Sequence, residues 1–294
     1  MKRNNNNLLI HIFFILFCMG FIIPFIYVIS ASFTSDNDLM KFGYQIFPIK
    51  FVTTAYQYVF KNSEQIINSY LVTTFYSFFG TFLSVLVMAA VAYPISRSNF
   101  KHRGFVSFFV FFTMLFSGGL VPSYILNTQY LHLRNNIWIY IVPSLASAWY
   151  IILLRTFFAQ LPISLIESAK IDGASELRIF FRIILPLSKP VLATVALLVL
   201  LGKWNDWCTT LIYISNKKLF SLQYLLQEIL LEADFLNTMV KNRAIGGDMQ
   251  STVKIPAESI KFAMAIIAAG PMLVIFPFFQ KYFTRGLTIG AVKG

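Results

Sequence analysis

Charge is what this sequence has least of. Asp, Glu, Lys and Arg make up 12% of its 294 residues, and apolar residues make up 57%. An ordinary soluble domain is about a quarter charged, and a soluble fold of this length cannot hide so much apolar surface. A water-soluble globular protein is therefore excluded, and the chain must be dissolved in lipid. Cysteine is also scarce. Cys18 and Cys208 both lie in apolar runs, which excludes a disulfide framework and a thiolate metal site and leaves them as small packing residues. His11, His102 and His132 are scattered and make no metal constellation. No G-x-x-x-x-G-K-[ST] occurs, so the chain has no nucleotide-binding P-loop of its own. No Ser-His-Asp or paired-carboxylate spacing is present, and Glu228 and Glu232 read as one solvated helix face. No catalytic residue, metal ligand or cofactor of this chain's own is expected.

What the chain does have is apolar length, including 32 phenylalanines. A bilayer core of about 30 Å takes about 20 apolar residues in a helix. Six stretches qualify, at about 8–29, 71–95, 105–126, 137–158, 191–214 and 262–283, within one transmembrane domain covering 1–294. The first has Met-Lys-Arg ahead of it, but it is long for a signal-peptide core and no small-x-small cleavage site follows. It is expected to be a retained helix. The all-α fold class follows from these spans.

Charge sorts by loop. With the amino terminus inside, the inner segments hold Lys2 and Arg3; Arg97, Lys101 and Arg103; Arg155, Lys170, Arg178, Arg182 and Lys189; and Lys281, Arg285 and Lys293. Only Glu167, Asp172 and Glu176 oppose them, whereas the outer loops are nearly balanced. The positive-inside rule then puts both termini in the cytoplasm. The net charge of +12 reflects that topology, and nucleic acid is not an expected partner. Within the outer loops, Ser221 is placed to cap a short amphipathic helix from Ser221 to Leu230. The stretch Asn242–Val253 reads as a polar, mobile loop.

Segment 159–190 is the charged insert between the fourth and fifth spans. Its core reads E-S-A-K-I-D-G-A-S-E-L-R-I-F-F-R-I-I-L-P-L-S-K-P from Glu167 to Pro190. Ser164–Ile171 has helical character, with Glu167 in the first turn where the helix dipole favours an acid. Gly173 supplies a sharp bend. A second helix, Ser175–Ile184, carries Leu177, Phe180, Phe181 and Ile184 on one face. This segment resembles the EAA loop of ABC-transporter permease subunits, E-A-A-x-x-D-G-A followed by L-P-x-x-x-P. Glu167, Ala169, Asp172, Gly173, Ala174, Leu185, Pro186 and Pro190 match, with Ser168 in place of the first Ala.

The resemblance implies a type I ABC importer permease fold with cytoplasmic coupling helices. Glu167, Ser168, Ala169, Asp172, Gly173 and Ala174 would then dock on a separate ATPase dimer, which binds the ATP and Mg. The ending from Arg285 to Gly294 resembles the G-L-T-x-G-x-V-K-G tail of maltose-type sugar permeases, implying that Gly290, Val292, Lys293 and Gly294 reach the ATPase. Met114–Pro122 resembles the LplC/YtcP-type subgroup, associated with complex oligosaccharides. In the fifth span, Lys203 and Asp206 are spaced to pair on one helix face. Trp204, Asn205 and Asp206 are similar to a W-N-D/E element of sugar permeases. They are either a substrate-pathway element or a structural polar knot. Ser117-Gly118-Gly119 is expected to permit a bend or close helix packing.

The expected function is the permease subunit of an oligosaccharide importer in a bacterial plasma membrane. Its expected partners are a second homologous permease, the ATPase dimer and an extracellular solute-binding protein. The alternative is an ion-coupled secondary transporter or channel, which needs intramembrane ionisable groups or two related halves.

Overall fold

The computed structural model describes residues 5–245 and 257–291. Those residues form helices and, among them, no strand. The first expected span lies in α1 (Asn5–Ser32), which tolerates Pro24. Two short helices follow, α2 (Asp36–Phe42) and α3 (Thr54–Val59). The second span lies in α4 (Ser63–Ser96), a helix of 34 residues, about 50 Å long.

The third expected span is not one rod. The helix α5 (Arg103–Leu115) stops, and α6 (Leu120–Ile125) with its wider turn Leu126–Tyr130 leaves at 114°. Gly119, at φ +83°, adopts the left-handed backbone this corner requires. Of the two roles expected for Ser117-Gly118-Gly119, a bend or close helix packing, the bend is present. The fourth span begins as tight turns over Ile137–Tyr140 and Val142–Ser144 and continues, bent by 50°, as α7 (Ala148–Ala159).

The insert contains α8 (Ile163–Ile171), α9 (Glu176–Ile179), a wide turn over Phe180–Ile184, and α10 (Leu185–Leu187). The fifth span is also broken. It consists of α11 (Lys189–Trp204), a non-helical step at Asn205–Trp207, and α12 (Cys208–Tyr213). Next, α13 (Leu222–Ile245) runs well past the short helix expected there and absorbs residues 242–245 of the expected polar loop; 246–253 lie outside the described residues. The sixth span lies in α14 (Ala257–Ala291). Three helices are long and apolar enough to cross a membrane, or up to six if each bent pair counts as one span, the third such pair joining the insert's Glu176–Leu187 to α11. Cys18 and Cys208 are both exposed, so neither is the packing residue expected.

The chain divides into two compact units. The first holds Met1–Ile66 and Leu225–Pro271. In it the Asp36 carboxylate caps α14, accepting from the Glu258 and Ser259 backbone N–H groups at 3.1 and 2.9 Å and from the Ser259 hydroxyl at 2.7 Å. Lys261 pairs with Glu258 at 3.2 Å and Asp234 at 3.5 Å. Phe33 stacks between Phe51 and Tyr56, at 4.5 and 4.9 Å. The second unit holds Ile67–Tyr224 and Met272–Gly294. It contains one apolar cluster around Ala92, Leu154, Phe158, Ile166, Ile179 and Ile184, and another around Tyr76, Ile139, Tyr140, Ile214 and Phe220.

Because Asp36 satisfies donors at the start of α14 that no intrahelical carbonyl can reach, Asp36→Ala is expected to destabilise the protein by about 1 kcal/mol and Asp36→Asn by less. The thermal midpoint of the detergent-purified protein measures this; equal midpoints for the two variants would contradict the cap.

Candidate coupling insert and span break

Pro162 cannot continue a helix from the preceding turn, so α8 starts immediately after it, at Ile163. That start moves Glu167 out of the first turn. The acid that does occupy a first turn is Glu176, at the start of α9 behind the N-cap Ser175, whose Oγ accepts from the Arg178 N–H. Between the helices the Ala174 N–H donates to the Ala169 carbonyl at 2.9 Å, and the Gly173 N–H donates to the Lys170 carbonyl at 3.0 Å. This is a Schellman ending, with Gly173 at φ +76° supplying the left-handed residue. The bend is therefore fixed by hydrogen bonds and chirality.

Glu167, Ser168, Asp172 and Gly173 are exposed, while Ala169 and Ala174 are half-buried. Around them stand apolar side chains that the described residues leave uncovered, including Ile171 at 86% exposure and Leu177 at 71%. Ile163 and Phe181 are also exposed. The single apolar face expected for Leu177, Phe180, Phe181 and Ile184 does not form. The wide turn over Phe180–Ile184 adds a residue to the helical repeat. It buries Phe180 and Ile184 but leaves Leu177 and Phe181 outside.

The insert is held from beneath by Ile166, Ile179, Phe180 and Ile184, which pack into the cluster of Ala92, Leu154 and Phe158. Polar contacts add to this packing. The Tyr93 hydroxyl on α4 donates to Glu176 Oε2 at 3.0 Å, and Lys170 Nζ on α8 lies 2.6 Å from Glu176 Oε1. The Arg97 guanidinium sits 5.5 Å from the Tyr93 ring centre and donates to the Phe158 carbonyl. The hydrogen bond from Lys170 holds the Glu176 carboxyl below the usual carboxylate range. A cavity of about 1240 Å³ opens beside these residues, with Leu86, Ala90, Arg103, Glu167 and Phe181 among the residues that line it.

At the break in the fifth span, the three residues expected to act together are separated by environment. Trp204 is 1% exposed and packs near Tyr70, with ring centres 6.4 Å apart. Asn205 is exposed, donates to the Leu201 carbonyl at 3.0 Å and accepts from Gln223 at 3.3 Å. Asp206 caps the next helix, its Oδ1 accepting from the Thr209 N–H at 3.0 Å. Lys203 does not make the ion pair with Asp206 that the spacing allowed. It is 6% exposed, and its ammonium donates to the Tyr140 carbonyl at 3.2 Å and to the Ser144 hydroxyl. The helix ends at Trp204, so the i,i+3 geometry is lost.

Lys203 fits because position 80 is glycine, where a Cβ would lie 3.2–3.3 Å from the lysine stem. Tyr140 stacks on Tyr76 at 4.3 Å and shares a hydrogen bond with Thr210 at 2.7 Å. Thr210 donates to Ser221 at 2.8 Å, and Ser221 returns to the Asp206 carbonyl at 3.0 Å. Ser221 also caps α13, as its position ahead of the apolar run predicts, accepting from the Tyr224 N–H at 3.4 Å. Sequence reasoning missed Gly80, Tyr140 and Thr210. The available signal was a glycine inside an apolar span of a chain that also buries a lysine.

Gly290 lies within α14, and Val292, Lys293 and Gly294 lie outside the described residues. Among the described residues no three His, Cys, Asp or Glu side chains are grouped to hold a metal ion.

Residues 72–289 match the family described as binding-protein-dependent transport system inner membrane component. The chain is 39% identical over 273 residues to protein LplC of Bacillus subtilis, covering 93% of this chain and 90% of LplC. It is 36% identical over 297 residues, and over the full length of both chains, to the polygalacturonan/rhamnogalacturonan transport system permease protein YtcP of the same organism. Its structure is similar to a chain in the crystal structure of a bacterial ABC transporter involved in the import of the acidic polysaccharide alginate. That likeness has a TM-score of 0.78 at 26% identity and covers 96% of this chain and 99% of the other.

Two substitutions test this geometry. Gly173→Val should weaken the bend by roughly 1–2 kcal/mol and Gly173→Asn by less, measured as faster amide exchange at Ala174; equal protection in both would refute a left-handed requirement. Gly80→Val should cost about 1–3 kcal/mol by overpacking against Lys203. Combining it with Lys203→Met should recover part of the lost thermal midpoint, and simple additivity would rule out the contact.

Proposed function

The chain belongs to the family of binding-protein-dependent transport system inner membrane components, with a type I importer permease fold, and from that premise we propose that it is the permease subunit of an ATP-driven importer carrying an oligosaccharide into the cytoplasm. The observation that carries this reading is the rigid bend at Gly173, flanked by exposed Glu167 and uncovered Ile171 and Leu177. Apolar side chains at that level of exposure are suited to a protein partner. The fixed bend lets a push on α8 reach the spans without being lost in a flexible loop.

In this reading the chain is a multi-pass component with both termini in the cytoplasm, and all 294 residues act as one permease domain. It performs no chemistry. A separate ATPase dimer binds ATP and Mg and docks on Glu167, Ser168, Ala169, Asp172, Gly173 and Ala174, with Glu167 meeting a basic residue. The carboxyl-terminal Gly290, Val292, Lys293 and Gly294 reach the same dimer. A second, homologous permease completes the pathway, and an extracellular solute-binding protein delivers the sugar. At the span break Asn205 is presented to the pathway, Asp206 holds the step in the helix, and Trp204 wedges the break in place. Oligosaccharides containing uronic acids are the first to try, because YtcP is named for polygalacturonan and rhamnogalacturonan transport and the structural neighbour belongs to an importer of an acidic polysaccharide.

The alternative, ion-coupled transport, is less well supported by the side chains. Lys203 is buried and committed to Tyr140 and Ser144, and Lys261 is paired with Asp234 and Glu258. The deciding experiment is reconstitution of the chain in proteoliposomes with its co-purified partners and binding protein, using a panel of uronate and neutral oligosaccharides. Uptake should require ATP, and Glu167→Lys should reduce it by about tenfold or more, as expected when one side of an interfacial charge pair is reversed. Uptake driven by a proton or sodium gradient without ATP would overturn the proposal.

A further inference from the structure

Glu176 stands outside the residues that the family pattern marks for ATPase docking, yet its two carboxylate oxygens serve two different elements. Oε2 accepts from Tyr93 on α4 at 3.0 Å, while Oε1 meets Lys170 on α8 at 2.6 Å. The residue itself begins α9. One carboxylate thus joins both short helices of the insert to a membrane span. The entry to the insert is tied to the same place. Arg97, stacked on Tyr93, donates to the carbonyl of Phe158 near the end of α7, shortly before the chain turns into α8.

These links are poorly explained as sources of stability. The Lys170 and Glu176 side chains are 38% and 61% exposed, and ion pairs at such positions are worth little. Packing of Ile166, Ile179, Phe180 and Ile184 already holds the insert down. Apolar packing, however, is non-directional and lets one surface slide on another. Hydrogen bonds depend steeply on distance and angle, so they fix register. α9 already has its N-cap in Ser175, which frees the Glu176 side chain to bind away from its own helix.

We infer that Glu176 is a positioning residue that locks the insert in register with α4 through Tyr93, so that movement of the coupling helices is delivered to the span. This rests on the proposed importer function and adds to it the route by which force leaves the insert. Loss of the link leaves ATPase docking intact and wastes ATP.

The test uses the complete reconstituted transporter and measures sugar transported per ATP hydrolysed. Glu176→Ala and Tyr93→Phe should each lower that ratio by about twofold to thirtyfold, the range for residues that carry coupling between sites. The ATPase should still co-purify in unchanged amount, and the double variant should be no worse than the poorer single one. Glu176→Gln keeps an acceptor for Tyr93 and should restore most of the ratio. An unchanged ratio in Glu176→Ala and Tyr93→Phe overturns the inference. So does loss of the ATPase on Glu176→Ala, which would make Glu176 a docking contact. If the unaltered chain shows no ATP-driven uptake, the proposed function itself has failed; the inference alone fails when the unaltered chain couples and the variants match it.

Discussion

A backbone in lipid has no water to satisfy its N–H and C=O groups, and each group left unpaired there costs several kcal/mol. Any interruption of a spanning helix must therefore bring its own partners. The break at Asn205–Trp207 shows how this is met. Asn205 and Asp206 N–H groups still reach the Leu201 and Lys203 carbonyls, Asp206 Oδ1 takes the Thr209 N–H, and Ser221 donates to the Asp206 carbonyl. At this break the polar side chains sit where they remove that penalty. Lys203 obeys the same rule. Its charge is costly at depth, and it is held by a carbonyl and a hydroxyl in space left by Gly80.

The insert works under a different constraint, since it must keep its shape while leaving apolar side chains uncovered. Its shape comes from local chemistry: the Schellman ending at Gly173 and the Ser175 cap. Its attachment comes from the buried side of α8 and α9 and from the wide turn that turns Phe180 and Ile184 inward. The residues left over, Ile171 and Leu177 among them, are spared from both tasks.

Much of this was legible in the sequence, for a physical reason. Transfer into lipid is governed by apolar length, so the existence of all six apolar stretches could be read directly, and Gly119 and Gly173 were readable as corners because left-handed backbone selects glycine. Hydropathy does not register direction, so the 114° and 81° angles were not visible. Starting α8 one residue earlier than expected was enough to move Glu167 out of the first turn. A single wide turn rotated Leu177 and Phe181 away from Phe180 and Ile184, because a period of 3.6 residues cannot anticipate a turn that closes five residues apart. At Lys203 the i,i+3 rule failed because it presumes that the helix continues, and the helix ends at Trp204.

Taken together, α4 meets the insert at Tyr93 and comes close to α11 at Gly80. α11 leaves the insert directly, after an 81° turn from the α9–α10 segment, and ends at the break. α4 has no chain connection to the insert, but Tyr93 ties it there, and about 20 Å further along Gly80 lies against Lys203. The two places differ in kind. At Tyr93 a hydrogen bond to Glu176 is directional and fixes register. At Gly80 the missing side chain leaves the room that the Lys203 stem occupies, so any side chain there would press on Lys203, next to the break at Asn205.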